Sequence, residues 1–153
     1  MTTWETWDMN KRLAELVLDF PRHPAAQDTG AEINFLDEGY AEIRFEVTEK
    51  FLVRCDAAPG MIVQGGYTMG VFPDFAAVLA AMTLSKGHAL LVSGNFVIPA
   101  KATIGETLIA KARAERKKRN IVVSWSVENM EEEVKAKGTY YFRLAKSEEA
   151  PVA

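Results

Sequence analysis

One long apolar segment of this chain keeps a single acid. Between Ala57 and Ser85 the only charged side chain is Asp74, and Gln64-Gly65-Gly66 comes shortly before it. A carboxylate taken out of water is costly unless it is paired or used, so chains seldom keep one in such a setting without a role. The segment therefore predicts a buried helix with the glycine pair at its entrance and one acid inside.

The elements around this segment predict an α+β fold. An N-terminal helix is expected within residues 1–22, with its amphipathic part at residues 4–19 ended by Pro21 and Pro24. Strands are expected at residues 31–36, 40–47, 89–98, 106–115, 121–129 and 134–144, with residues 51–56 either a further strand or the lead into the glycines. Because strands and helices do not alternate, a doubly wound parallel sheet is disfavoured, and one antiparallel sheet wrapped around the central helix is the simplest arrangement.

The clearest strand signal is at residues 40–47. Ala41, Ile43, Phe45 and Val47 alternate with Glu42, Arg44 and Glu46. This period of two predicts one face on the core and one face in water.

Length and composition predict one domain. With 153 residues and 48% hydrophobic side chains, we expect a single domain over residues 1–153, with residues 146–153 as a flexible tail. A net charge of −3 gives no support for nucleic-acid binding. His23 and His88 lack metal-ligand spacing, so no metal site is expected.

Compartment is inferred from cysteine usage and from the lack of targeting signals. The one cysteine, Cys55, cannot form an internal disulfide, which favours a reducing compartment. The N-terminus lacks the basic start and apolar run of a signal peptide. Residues 57–85 are long enough to cross a bilayer, but Pro59, Pro73 and Asp74 argue against a membrane span. A cytoplasmic location is therefore predicted.

The central motif resembles that of the hotdog-fold acyl-CoA thioesterases of the phenylacetate-pathway (PaaI-like) type, within the thioesterase superfamily. The stretch from Gly60 to Gly66 is similar to their Gly-x-x-His-Gly-Gly signature, with Gln64 in the histidine position. Three later stretches are similar to further segments of that family and extend the resemblance over residues 30–145: Asn95–Ala100, Ile104–Leu108 and Ala136–Phe142. The resemblance implies thioester hydrolysis by a homodimer or homotetramer, with each site at a dimer interface.

The acid departs from this pattern by one position. The resemblance places the carboxylate at residue 73, where this chain has Pro73, and Asp74 follows it. One residue on a helix is a rotation of about 100°. Asp74 can take the role only if the backbone is re-phased, which a proline inside a helix could cause by removing a hydrogen bond and kinking the axis.

The resemblance assigns roles to four residues around the helix start. The amides of Gly65 and Gly66 would polarise the thioester carbonyl, Gln64 would position the thioester or water, and Asp74 or a partner's carboxylate would act as general base. Two structural alternatives stay open. The glycine pair could form only a tight turn, and the helix could begin near Phe72, with Asp74 merely complementing its dipole in the first turn.

Coenzyme A is expected only as part of the substrate, with no resident cofactor. Tyr67 and the basic hairpin turn are the predicted binding residues. The turn comprises Arg116, Lys117, Lys118 and Arg119, and the alternative is that it is simply solvated.

The predicted function is an acyl-CoA thioesterase that hydrolyses a fatty-acyl or aryl-CoA thioester. The alternative is a non-catalytic acyl-CoA-binding or regulatory protein of the same fold, motivated by Pro73 at the acid position. A hotdog dehydratase would need an Asp/His pair in the pocket, and the sequence has no such spaced pair.

Overall fold

The computed structural model describes residues 9–54 and 61–144. Within these ranges the chain forms three α-helices and eight β-strands. The helices are α1 (Met9–Asp19), α2 (Pro24–Thr29) and α3 (Phe72–Met82). The strands are β1 (Glu32–Asp37), β2 (Tyr40–Glu46), β3 (Leu52–Arg54), β4 (Met61–Val63), β5 (Ala89–Val97), β6 (Thr107–Lys117), β7 (Asn120–Asn129) and β8 (Val134–Leu144).

Six of these strands form one antiparallel sheet in the order β1-β2-β6-β7-β8-β5. Strands β3 and β4 pair separately, so residues 52–54 do not extend the main sheet. A single antiparallel bridge between Ile62 and Thr103 joins this small pair to the segment before β6. The predicted α+β architecture is confirmed.

Helix α3 packs on one face of the sheet, chiefly against β2, β6 and β7. The phenyl rings of Phe45 and Phe72 lie 4.1 Å apart at this contact, and both side chains are fully buried. Burying a phenylalanine contributes about 1.5–3 kcal/mol to folding. Four buried alanines of α3 let the helix approach the strands closely, namely Ala76, Ala77, Ala80 and Ala81.

The alternation predicted for residues 40–47 is confirmed. Ala41, Ile43 and Phe45 have no exposed surface, while Arg44 and Glu46 lie in solvent. The turn before them uses Gly39 at φ 69°, a left-handed conformation that glycine adopts without strain.

The N-terminal helix and the turn after it contact the sheet-bound helix through Arg12 and Phe20. Helix α1 ends at Asp19, and Phe20 then packs edge-on against Phe75 of α3 at 5.6 Å. The Nε of Arg12 donates to the carbonyl of Met82 at 3.0 Å, so a cation binds the last turn of α3. Pro24 begins α2 rather than only ending α1, because proline suits the first position of a helix.

Strand β5 is an exposed apolar edge. It pairs with β8 on one side, and its other side is unpaired within the described residues. Six large apolar side chains in or just after it are more than two-fifths exposed: Leu90, Leu91, Val92, Phe96, Val97 and Ile98. A long apolar edge of this kind is a template for pairing with another chain.

Candidate functional site

The central helix begins at the glycine pair. Gly65 and Gly66 are already helical, and the helix continues without a break into α3. The N–H of Gln64 donates to the carbonyl of Phe51 at 2.8 Å, and its own carbonyl accepts from Tyr67 N–H at 2.9 Å. The first amides of a helix have no acceptor within it, so the N–H groups of Gly65 and Gly66 are donors at a positive helix end. The prediction that the pair forms the start of the helix is therefore met in the structure.

Space for a ligand exists beside these amides. A Cβ built on Gly66 would have no atom within 4 Å, and one on Gly65 would meet only Cδ1 of Ile98 at 3.5 Å. The side chain of Gln64 is exposed at the same point. The glycines thus face open space bordered by the end of strand β5, and nothing in the described protomer itself requires Gly66 to lack a side chain.

A π-helical turn separates the glycines from the acid. It spans Tyr67–Val71, and the N–H of Phe72 donates to the carbonyl of Tyr67, five residues back. An α-helix uses a donor four residues on, so this turn contains one extra residue. One extra residue rotates the helix after the turn back by about 100°, which is the re-phasing that the family resemblance requires for Asp74 to act as the acid.

Pro73 favours a departure from α-helical geometry at this turn. A proline has no N–H, and its ring collides with the carbonyl four residues earlier, which here belongs to Met69. The α-helical hydrogen bond from residue 73 is therefore missing, and the chain has the wider π-helical turn just before it. The alternative in which the helix begins near Phe72 is only partly right: the regular α-helical part begins there, but it continues an existing helix.

Asp74 is half-buried and has no hydrogen-bond or ion-pair partner among the described residues. Across residues 9–54 and 61–144, neither of its carboxylate oxygens takes part in a hydrogen bond or an ion pair. Burial raises the pKa of Asp74 above the usual value of a carboxyl group. A raised pKa on a carboxylate without a partner is typical of groups that act as a general base.

Tyr140 is part of this region, and the sequence prediction missed it. Its hydroxyl donates to the carbonyl of Met69. Burial, and then the negative charge of Asp74, raise the pKa of Tyr140, so the phenol and the carboxylate lie within electrostatic reach. No local signal could have found this contact, since 71 residues separate donor and acceptor.

Gly66 and Asp74 do not meet within one chain. They are eight residues apart on one helix, which at 1.5 Å per residue is about 12 Å along the axis. A carbonyl held at the glycine amides would therefore be out of reach of the same helix's carboxylate, since a general base must lie within one hydrogen bond or one water of its target.

Tyr67 belongs to an aromatic cluster at the start of the helix. Its ring lies 4.9 Å from that of Phe51 and 5.9 Å from that of Phe72. The side chain is partly buried, so it leaves only part of its surface for a ligand.

The basic turn lies at the opposite end of the helix from the glycines. Arg116 donates from Nη1 to the carbonyl of Leu84 at 2.7 Å and from Nε to Lys118 at 2.7 Å. Arg119 donates to the carbonyl of Leu144 at 3.3 Å. Lys117 and Lys118 extend into solvent. Two of the four predicted phosphate ligands thus hold backbone carbonyls, and within one protomer the turn and the glycine pair do not come together.

A cavity of about 480 Å³ lies beside β5, β7 and β8. Asn95, Phe96, Trp125 and Thr139 are among its lining residues, and none of the predicted site residues contributes to it. This cavity is therefore separate from the glycine pair.

Two further features bear on the sequence predictions. Among the residues that the structure describes, no three histidine, cysteine, aspartate or glutamate side chains come together as a metal site. In the same part of the chain, no helix is both long and apolar enough to cross a membrane. Cys55 and the N- and C-terminal segments 1–8 and 145–153 lie outside the described residues.

Comparison with solved structures identifies the fold. The E. coli PaaI protein from the phenylacetic acid degradation operon aligns with a TM-score of 0.76 at 19% identity, covering 90% of this chain and 94% of that one. Zebrafish thioesterase superfamily member 2 aligns at 0.73 and 18% identity, covering 87% and 98%. A Streptococcus mutans protein bound to acetyl-CoA aligns at 0.66 and 18% identity, covering 75% and 88%.

These likenesses show that the chain has the hotdog fold of the PaaI-like thioesterases, as the sequence predicted. No protein-family model matches the chain. No curated protein sequence matches it either.

Proposed function

We propose that this protein is an acyl-CoA thioesterase that hydrolyses a fatty-acyl or aryl-CoA thioester to the free acid and coenzyme A. The observation that carries the proposal is the central helix itself. It begins at two glycines that border open space, and it carries two turns later a half-buried carboxylate with no partner in the described residues. The fold shared with thioesterases and the acetyl-CoA bound to one structural neighbour support the same chemistry.

The complete site would be built from two copies of the chain. Because about 12 Å of helix separates Gly66 from Asp74, the acid that acts at one glycine pair has to come from another protomer. Strand β5 is the surface suited to that partner, since it is apolar and unpaired in the described protomer. Its end reaches Gly65 through Ile98, so a copy seated on β5 would lie beside the helix start.

The proposed reaction uses each group for one task. The amides of Gly65 and Gly66 stabilise the charge that develops on the thioester oxygen, a contribution of about 3–4 kcal/mol for one such donor. Asp74 of the other copy takes a proton from water as the water attacks the carbonyl carbon. The C–S bond then breaks, the thiolate takes up a proton, and the acid leaves. Gln64, exposed at the helix start, orients the thioester or the water.

Thiol release from a panel of acyl-CoA and aryl-CoA esters tests the activity. We expect turnover with at least one ester, and loss of turnover in Asp74→Asn. A wild-type protein that binds the panel without releasing thiol would overturn the proposal and favour the non-catalytic alternative.

Subunit complementation tests the shared site. Gly66→Ala and Asp74→Asn should each be inactive alone, because every site contains one altered group. In a mixed dimer one site carries both changes and the other carries neither. Random mixing should therefore restore about a quarter of wild-type activity, as follows from a two-fold symmetric dimer. Absence of any recovery after subunit exchange would place each site within a single chain.

The cytoplasmic location stays a prediction.

A further inference from the structure

The Met69 carbonyl of the central helix accepts a hydrogen bond from the sheet. In an α-helix it would accept from the N–H of residue 73, but residue 73 is proline. The hydroxyl of Tyr140, on strand β8, donates to it instead. A carbonyl in a partly buried position is costly to leave without a donor, so this contact replaces the bond that Pro73 removes.

The sheet holds that hydroxyl in place. A Cβ at residue 94 would lie 2.7 Å from the ring of Tyr140, so the ring occupies the space that a glycine leaves on β5. The ring also packs against Trp125 at 5.1 Å. A phenol fixed in this way by two strands has little freedom to follow the helix, so the helix has to conform to the phenol.

We propose that Tyr140 is a positioning residue: by holding the Met69 carbonyl, whose α-helical donor Pro73 removes, its hydroxyl fixes the phase of the central helix, meaning its rotation about the axis after the π-helical turn, and the direction of the Asp74 carboxylate. The catalytic consequence rests on the proposed thioesterase function. The structural part does not, because it concerns only the helix, the sheet and the carboxyl group.

A double-mutant cycle tests the link between Tyr140 and Pro73. We expect Tyr140→Phe to lower the folding equilibrium constant about tenfold, the effect of one unsatisfied buried carbonyl. In a Pro73→Ala background the new N–H can satisfy Met69, and the same change should cost no more than about twofold. Equal losses in the two backgrounds would overturn the proposal.

Kinetics test the effect on the acid. Tyr140→Phe should lower kcat about 10- to 100-fold, the cost of a misplaced catalytic group, while KM stays within about twofold. Tyr141→Phe is the matched control, because it removes the same hydroxyl from the adjacent, more exposed tyrosine. A Tyr140→Phe enzyme with the kcat of Tyr141→Phe would overturn the positioning role.

A third measurement does not depend on turnover. The carboxyl carbon of Asp74, labelled with ¹³C, reports its titration by NMR. Because burial raises this pKa, a helix that loses its phase should expose the acid and lower the pKa towards the ordinary value in Tyr140→Phe, with no change in Tyr141→Phe. An unchanged pKa in Tyr140→Phe would overturn the proposal even in a protein that hydrolyses no thioester. A lowered pKa in such a protein would support the positioning role while the thioesterase function fails.

Discussion

Gly66→Ala should stabilise the protein and inactivate it. The backbone at residue 66 has φ −58° and ψ −29°, ordinary helical angles, and the new methyl group would meet no atom within 4 Å. Alanine is favoured over glycine in a helix by about 0.5–1 kcal/mol, so the free energy of unfolding should rise by about that amount. For a chain of this size the gain corresponds to about 1–4 °C in Tm. The methyl group would fill the space that the thioester oxygen needs, and losing one such donor costs about 100- to 1,000-fold in kcat.

Gly70→Ala is the control for this experiment. A Cβ there would also meet nothing within 4 Å, so a similar gain in stability is expected. It lies in the π-helical turn, beyond the first amides of the helix, and should leave thiol release close to wild type. Calorimetry gives Tm and a thiol-release assay gives kcat. A Gly66→Ala protein that is stabilised yet fully active would refute the assignment of the open space to the substrate carbonyl, and a destabilised one would refute the steric argument.

Four further changes test other parts of the molecule. Since burial raises the Asp74 pKa, the folded state binds this proton more tightly than the unfolded chain. The free energy of unfolding should therefore rise as the pH falls from neutral through the folded-state pKa of Asp74, and Asp74→Asn should remove this rise. If the free energy of unfolding in urea depends on pH identically in the wild type and in Asp74→Asn, the reasoning is wrong. Val92→Lys places a charge on the apolar edge, and sedimentation should then find a monomer without thiol release; a persistent dimer would exclude β5 as the interface. Arg116→Met should lower the free energy of unfolding by about 1–2 kcal/mol in urea denaturation and leave KM unchanged, because its guanidinium holds backbone carbonyls. Replacing both Lys117 and Lys118 by glutamine should raise KM for the CoA ester without lowering the free energy of unfolding. An unchanged KM would show that these two lysines do not bind the substrate.

Local patterns predicted the strands well. Alternation at residues 40–47 and 134–144 identified β2 and β8, because a half-buried strand imposes a period of two on its side chains. The glycine pair was likewise placed at the helix start, since a turn residue before an apolar run is a local signal. Nothing in residues 51–56 told a separate two-stranded pair from an edge of the main sheet, because that choice depends on strands distant in sequence.

The candidate site was less predictable for the same reason. Pro73 indicated a re-phased helix, but a proline can kink, break or widen a helix, and only packing selects among these outcomes. The contact of Tyr140 with Met69 depends on the register of β8 against β5, which the sequence of either segment does not specify. The basic turn shows the same limit: a cluster of cations suggests a phosphate site, and the sequence does not show that Arg116 and Arg119 also hold backbone carbonyls of the fold.

The apolar margin of strand β5 has a consequence for stability. If a second copy covers it, the unfolded state competes with a pair of folded chains, and mass action raises the melting temperature with total protein concentration. Dilution would then weaken the fold as well as the site, so a cell that makes little of this protein would hold it closer to its unfolding threshold than one that makes much.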